Sequence, residues 1–153
     1  MRFTKVFRTI IRTGGTLLFL GLLTNACQST QELKSEQYFA EGYQLYTTYC
    51  SNCHQTDGKG MLGLYPPLTG LDQLTDKARL ACIIKNGMSD TIVVNGKEFS
   101  RPMPPNPKLK NLEIAEIVSY LNMKWGRDSV FTSIEFVEKS LKECAPNQGP
   151  VNL

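Results

Sequence analysis

The chain has 153 residues, 41% apolar and 20% charged, with 12 glycines and 8 prolines. Such a composition is too ordered for a disordered tail and too polar for several membrane spans, and the length suits one domain of about 100 residues with a segment at each end. The formal charge of +3 comes from Arg2, Lys5, Arg8 and Arg12; from Cys27 onward 13 basic residues face 14 acidic ones, which disfavours a nucleic-acid surface, and a single histidine excludes His pairs and His-rich metal sites.

Residues 1–12 are basic without one acidic side chain, and Thr16 to Leu23 is an apolar run. That run is shorter than the roughly 20 residues a bilayer span needs, and it has the size of a signal-peptide core. Residues 1–26 are therefore expected to be a signal peptide. The approach Thr24-Asn25-Ala26 to Cys27 resembles a bacterial lipoprotein signal, which implies a lipid on Cys27 and a tether over 27–37. Ordinary cleavage near Ala26 is the rival and would leave an unpaired thiol, a poor choice in an oxidising compartment. Both readings export the protein.

The spacing of Phe39, Gly42, Tyr46, Tyr49 and Cys50 predicts a helix over 36–50, with Ser35 as its cap. Six glycines and prolines make 55–70 a loop. A second helix is expected over 75–86, with Leu80, Ile83 and Ile84 on one face and Gly87 as its stop. Asn95-Gly96 between strand-like runs predicts a two-residue β-hairpin within 91–99. Residues 101–110, with four prolines, must be extended. A third helix is expected over 112–125, capped by Asn111, with Ile114, Ile117, Val118, Leu121 and Trp125 on its apolar face. Thr132 and Glu135 stand at capping-box spacing before a last helical segment that places Val137, Leu141 and Cys144 on one face.

The chemistry centres on Cys50-Ser51-Asn52-Cys53-His54, the CxxCH arrangement of covalent haem c attachment. Two thiols three residues apart on a tight turn can add to the two vinyl groups on one side of a porphyrin, and the next residue then sits where an imidazole nitrogen can bind iron. A structural zinc site would need four ligands, nominally Cys50, Cys53, Cys82 and His54, but adjacent Cys53 and His54 are awkward on one tetrahedral ion. A thioredoxin-like pair would open a helix in a βαβ unit, whereas this one closes a helix. A plain Cys50–Cys53 disulfide leaves His54 unexplained.

At these residues the chain resembles the class I mono-haem cytochromes c over 38–126. Gly42 and Tyr46 match the family's small and aromatic positions on its first helix, and Tyr120 matches the aromatic they meet on the last. Tyr65-Pro66-Pro67-Leu68 resembles the family's proline loop, which implies a carbonyl of Pro66 or Pro67 accepting the other ring proton of His54; Pro67 is taken as the haem-side residue. The stretch from Gly87 to Met103-Pro104-Pro105 resembles the approach to the methionine ligand. The resemblance implies an all-α cytochrome c fold: three core helices around one covalent haem, a short hairpin before the methionine, and a C-terminal helical extension over 127–153.

Elimination also addresses the sixth ligand. Met1 leaves with the signal, Met61 is tethered on the proximal side, and Met123 belongs to the last core helix. Met103, stiffened by Pro102 and Pro104, is favoured, with Met88 as its rival. Tyr46 and Trp125 are expected near the haem, Trp125 reaching a propionate through its indole N–H. With Cys27, Cys50 and Cys53 assigned, Cys82 and Cys144 remain for a disulfide. His plus Met ligation leaves no open position, which points to a single-electron carrier between membrane-associated redox partners and not an enzyme. The expected setting is lipid-anchored and periplasm-facing. The alternatives are an open-site haem sensor or peroxidase-like enzyme, and a dedicated haem subunit of a larger dehydrogenase or oxidase complex.

Overall fold

The computed structural model describes residues 29–70, 72–126 and 128–144. The expected signal peptide, the anchor at Cys27 and residues 145–153 lie outside the described residues. Contacts divide the chain into two units, 1–33 and 34–153; of the first, only the opening turn of a helix is described. No helix among the described residues is long and apolar enough to cross a membrane.

The first helix, α1, spans Thr30–Tyr49 and so begins six residues before the expected start. The reason is a cap at Ser29, whose Oγ accepts from the Glu32 amide at 3.2 Å, followed by residues 30–35 without a glycine or proline to delay the helix. Much of the expected tether is therefore helical. After Cys50 the chain bends into a single short turn, α2 (Ser51–His54).

A 3₁₀ turn (Asp72–Thr75) leads into α3 (Lys77–Asn86), where the Asp76 carboxylate accepts from the Arg79 amide at 2.9 Å. Gly87 ends α3 at φ 74°, a left-handed conformation. A Cβ there would meet the carbonyl oxygen of Met103 at 2.5 Å and the nitrogen of Pro105 at 2.8 Å, so the proline segment lies directly on this stop. The hairpin forms as expected: β1 (Ile92–Val94) pairs antiparallel with β2 (Lys97–Phe99), Ile92 opposite Phe99 and Val94 opposite Lys97. Asn95 and Gly96 both take positive φ, as a type I′ turn requires.

The proline segment is stitched to α3 by polar contacts. Asn106 Nδ2 donates to the Ile84 carbonyl at 3.1 Å, and Lys85 Nζ donates to the carbonyls of Pro107 and Leu109 at 3.0 and 2.7 Å. The central helix, α4, spans Asn111–Lys124. Its cap is Lys110, not Asn111: the Lys110 amide donates to the Glu113 carboxylate at 2.7 Å, so Asn111 already lies in the first turn. The last helix, α5 (Ile134–Lys142), is capped by Ser133, whose Oγ accepts from the Phe136 amide at 3.2 Å. Thr132 cannot serve, because it is buried with its amide donating to Ser119 Oγ at 2.8 Å.

Helices α3, α4 and α5 pack against one another, and α4 crosses α1 where Gly42 lies against Tyr120 and the Glu116 carbonyl. Tyr46, Ile114, Ile117, Val118, Tyr120 and Val137 form the heart of the core. The hairpin residues Ile92, Val94 and Phe99 make a second, separate cluster with Met88. Between the two clusters lies a cleft.

Candidate functional site

The cleft is lined largely by apolar side chains. One wall carries Cys50, Cys53 and His54 with Tyr65 and Pro66; another carries Ile83 and Ile84 of α3 and Ile117 of α4; the hairpin and the proline segment add Met88, Val94, Phe99 and Met103. Burial and period-2 alternation together explain the hairpin's share, since Ile92, Val94 and Phe99 point to one face.

The CxxCH turn is built by the helix end. The amides of Cys53 and His54 both donate to the Cys50 carbonyl, at 3.2 and 3.0 Å, which presents both thiols and the imidazole to the cleft. The thiols of Cys50 and Cys53 are free. Burial, helped by neighbouring Cys53, pushes the Cys50 thiol up to about 12, so it stays protonated near neutrality. Burial likewise lowers the His54 pKa, against the opposing effect of its hydrogen bond to Pro66; a neutral ring follows at pH 7.

The neutral ring is oriented by its Nδ1–H, which donates to the Pro66 carbonyl at 3.1 Å. Nε2 is then the nitrogen with a lone pair to offer. The acceptor is Pro66 and not Pro67, and Pro67 does not line the cleft. Gly60 admits the close approach of this backbone: it takes φ 67°, and a Cβ there would strike the Tyr65 carbonyl and come within 2.6 Å of the Pro66 oxygen. Its amide also donates to the His54 carbonyl at 2.9 Å, closing the loop onto the turn.

Met88 and Met103 form an antiparallel bridge, with the Met88 amide donating to Met103 at 3.0 Å and the Met103 amide returning at 2.8 Å. Both line the cleft, as do Pro102 and Pro104; Met61 and Met123 do not. Trp125 is also absent from the lining, contrary to expectation. Its ring stacks edge-on against Tyr46 and Tyr120, at 5.3 and 5.7 Å, and lies over Gly58. The aromatic cluster at the α1–α4 crossing holds it away from the cleft. Tyr46 has both roles, since it is wholly buried in the core and lines the cleft, with its hydroxyl donating to the Gln55 carbonyl at 2.5 Å.

Two charged lining residues went unrecognised in the sequence, Arg79 and Arg101. Among the described residues they are the charged members of the lining, with no carboxylate beside them. Arg101 could have been found by extending the hairpin alternation from Lys97 through Phe99; Arg79 carries no comparable signal. Away from the cleft mouth, Cys82 and Cys144 are joined by a disulfide that ties α3 to the segment after α5. With Cys82 so used, the nominal four-ligand zinc set is not assembled, and among the described residues no group of three or more His, Cys, Asp or Glu is placed to hold a metal ion.

The donor set fits a covalently attached haem: two free thiols in one turn, one imidazole with Nε2 available, thioethers on a facing segment, and apolar walls. Comparison with known proteins agrees. The family described as Cytochrome c matches residues 39–125. A cytochrome c-552 of Thermus thermophilus is 28% identical over 120 residues, covering 71% of this chain and 91% of the relative. A second cytochrome c-552 from the same species is also 28% identical over 120 residues, with 80% of its length covered.

Proposed function

Because the chain belongs to the cytochrome c family, with covalent haem c as its cofactor, we propose that it is a single-electron carrier serving membrane-associated redox partners. The observation that carries this reading is the CxxCH turn presenting Cys50, Cys53 and a His54 ring tethered to Pro66 inside an apolar cleft whose other segment bears Met88 and Met103. In this reading Cys50 and Cys53 would hold the haem through thioethers, and His54 Nε2 and the Met103 sulfur would be offered to its iron. The haem, when bound, supplies a reversible one-electron couple. The chain's own part is to hold the ligands and keep water out. A filled sixth position leaves no place for substrate, and the lone histidine leaves none to act as a distal acid–base group. This supports a carrier over an open-site sensor or a peroxidase-like enzyme.

The setting belongs to the same proposal. Thioether formation outside the cytoplasm agrees with the export signal, and a lipid on Cys27 would hold the domain at a membrane facing the periplasm. The proposed carrier is tested by extracting denatured protein with acidified organic solvent, followed by carbon monoxide titration of fresh reduced protein. Haem should stay with the polypeptide, and carbon monoxide should bind slowly. Extraction of all haem would remove covalent attachment; rapid stoichiometric binding would put the open-site alternative first.

A further inference from the structure

The hairpin and the loop that orients His54 meet at the rim of the cleft. Alternation along β2 places Lys97 and Phe99 on one side of the strand, and Arg101 follows two residues beyond its end. Phe99 is buried in the hairpin cluster. Lys97 Nζ lies 3.7 Å from where a Cβ on Gly63 would stand. Arg101 Nη1 donates to the Tyr65 hydroxyl at 3.3 Å, and its guanidinium carbon lies 5.6 Å from the centre of the Tyr65 ring.

Each partner is anchored to a ligand-bearing segment. Tyr65 is paired through its backbone with Met61, and the next carbonyl along the chain, that of Pro66, accepts from His54 Nδ1. Arg101 stands two residues before Met103, whose backbone is bridged to Met88. The hairpin cluster is separate from the main core, so it has little apolar packing of its own to fix its distance from the proximal loop. Among the described residues, the Arg101–Tyr65 hydrogen bond is the side-chain bond that joins the two lips.

We propose that Arg101 and Tyr65 form a strap across the cleft rim, coupling the loop that orients His54 to the segment that carries the methionine ligand. Arg101 is thereby a positioning residue for the sixth ligand. The inference rests on the reading of His54 and a methionine as axial ligands. It holds whichever methionine serves, because Met88 and Met103 share one backbone bridge.

A guanidinium over an aromatic ring at an exposed site biases an equilibrium about two- to fivefold. The test titrates ferric, haem-loaded protein with imidazole, which competes with the methionine for iron. Arg101→Leu and Tyr65→Leu should each raise imidazole affinity about two- to fivefold, and the double variant should do no more than either alone. Arg101→Lys keeps the charge but loses the planar fork, and it should resemble Arg101→Leu. Additive effects in the double variant would overturn the strap. So would wild-type affinity in Arg101→Lys, because charge alone would then explain the residue. If wild-type protein lacks the weak long-wavelength band of methionine-to-ferric-iron ligation, the ligand reading itself fails, and the strap with it.

Discussion

Gly42 offers the sharpest test of the architecture, because two physical effects predict opposite signs there. As an ordinary helical position, Gly42→Ala should stabilise α1 by about 1 kcal/mol, the usual propensity difference. The structure predicts the reverse. A Cβ at Gly42 would strike the Glu116 carbonyl oxygen and lie 2.6 Å from Tyr120 Cβ. Ordinary contact begins near 3.4 Å, so α1 and α4 must part by close to an ångström. The carbonyl is backbone in the middle of a helix and cannot swing aside. Parting the helices loosens the Tyr46–Tyr120 and Phe39–Tyr120 ring contacts, now at 5.4 and 5.2 Å, and radial gaps of this size forfeit a quarter to a half of a dispersion well. Overpacking of this kind costs about 1–3 kcal/mol, enough to outweigh the propensity gain at most of that range. The assay is denaturant unfolding of the haem-loaded protein, comparing Gly42→Ala with Gln44→Ala at an exposed position of the same helix. Gly42→Ala should lower the midpoint with little change in slope, and Gln44→Ala should leave it nearly unmoved. A raised midpoint for Gly42→Ala would refute the close crossing.

Three further outcomes are expected. Met103→Ala should abolish the long-wavelength band and lower the reduction potential while Met88→Ala does neither, as followed by absorbance and redox titration; the reverse result assigns the ligand to Met88. Replacing Cys82 and Cys144 together by alanine should cost up to about 4 kcal/mol by the chain-entropy estimate for a separation of 62 residues, and alkylation of unfolded, unreduced wild type should find neither thiol. Glu116 is held up to about 6 by burial first, then by Glu41 and Glu113. Its folded-state pKa lies above its ordinary 4.5, so the folded state binds the extra proton, and stability should fall as pH rises from about 4.5 through about 6. Glu116→Gln should flatten that slope in unfolding measured across the window; an unchanged slope would show that Glu116 does not set it.

Much of the site was readable because its chemistry is local. The CxxCH spacing, the Asn95-Gly96 turn and the Gly87 stop are each decided within a few residues, and the structure contains the hairpin and all three expected core helices. Helix starts were less legible where caps compete. Asn111 and Thr132 are good cap residues by type, yet Glu113 reaches back to the Lys110 amide, and Ser119 takes the Thr132 amide into the core. At the other end Ser29 and Glu32, three residues apart, carried a start signal for α1 inside a stretch whose polarity suggested a tether. Polarity describes solvation; it does not forbid a helix.

The choices that the sequence left open at the site have a different origin, since they concern direction and not identity. A chain with adjacent prolines offers two carbonyls to His54, and the first one accepts, where Gly60 lies close against the Tyr65–Pro66 backbone. Trp125 falls at a plausible place on the last core helix, but a ring that can reach either the cleft or the aromatic crossing is claimed by the side with more partners, here Tyr46 and Tyr120. Arg79 and Arg101 escape notice because a charged residue on a rim looks in sequence like any solvated one. In three dimensions they stand in a lining whose described residues include no carboxylate. Each of these choices is settled by packing that local pattern does not encode, Gly60 against Tyr65 and Pro66, and Trp125 against Tyr46 and Tyr120. The rim contacts are thus the ones least determined by local pattern, and the proposed Arg101–Tyr65 strap, between positions 36 residues apart, is of that kind.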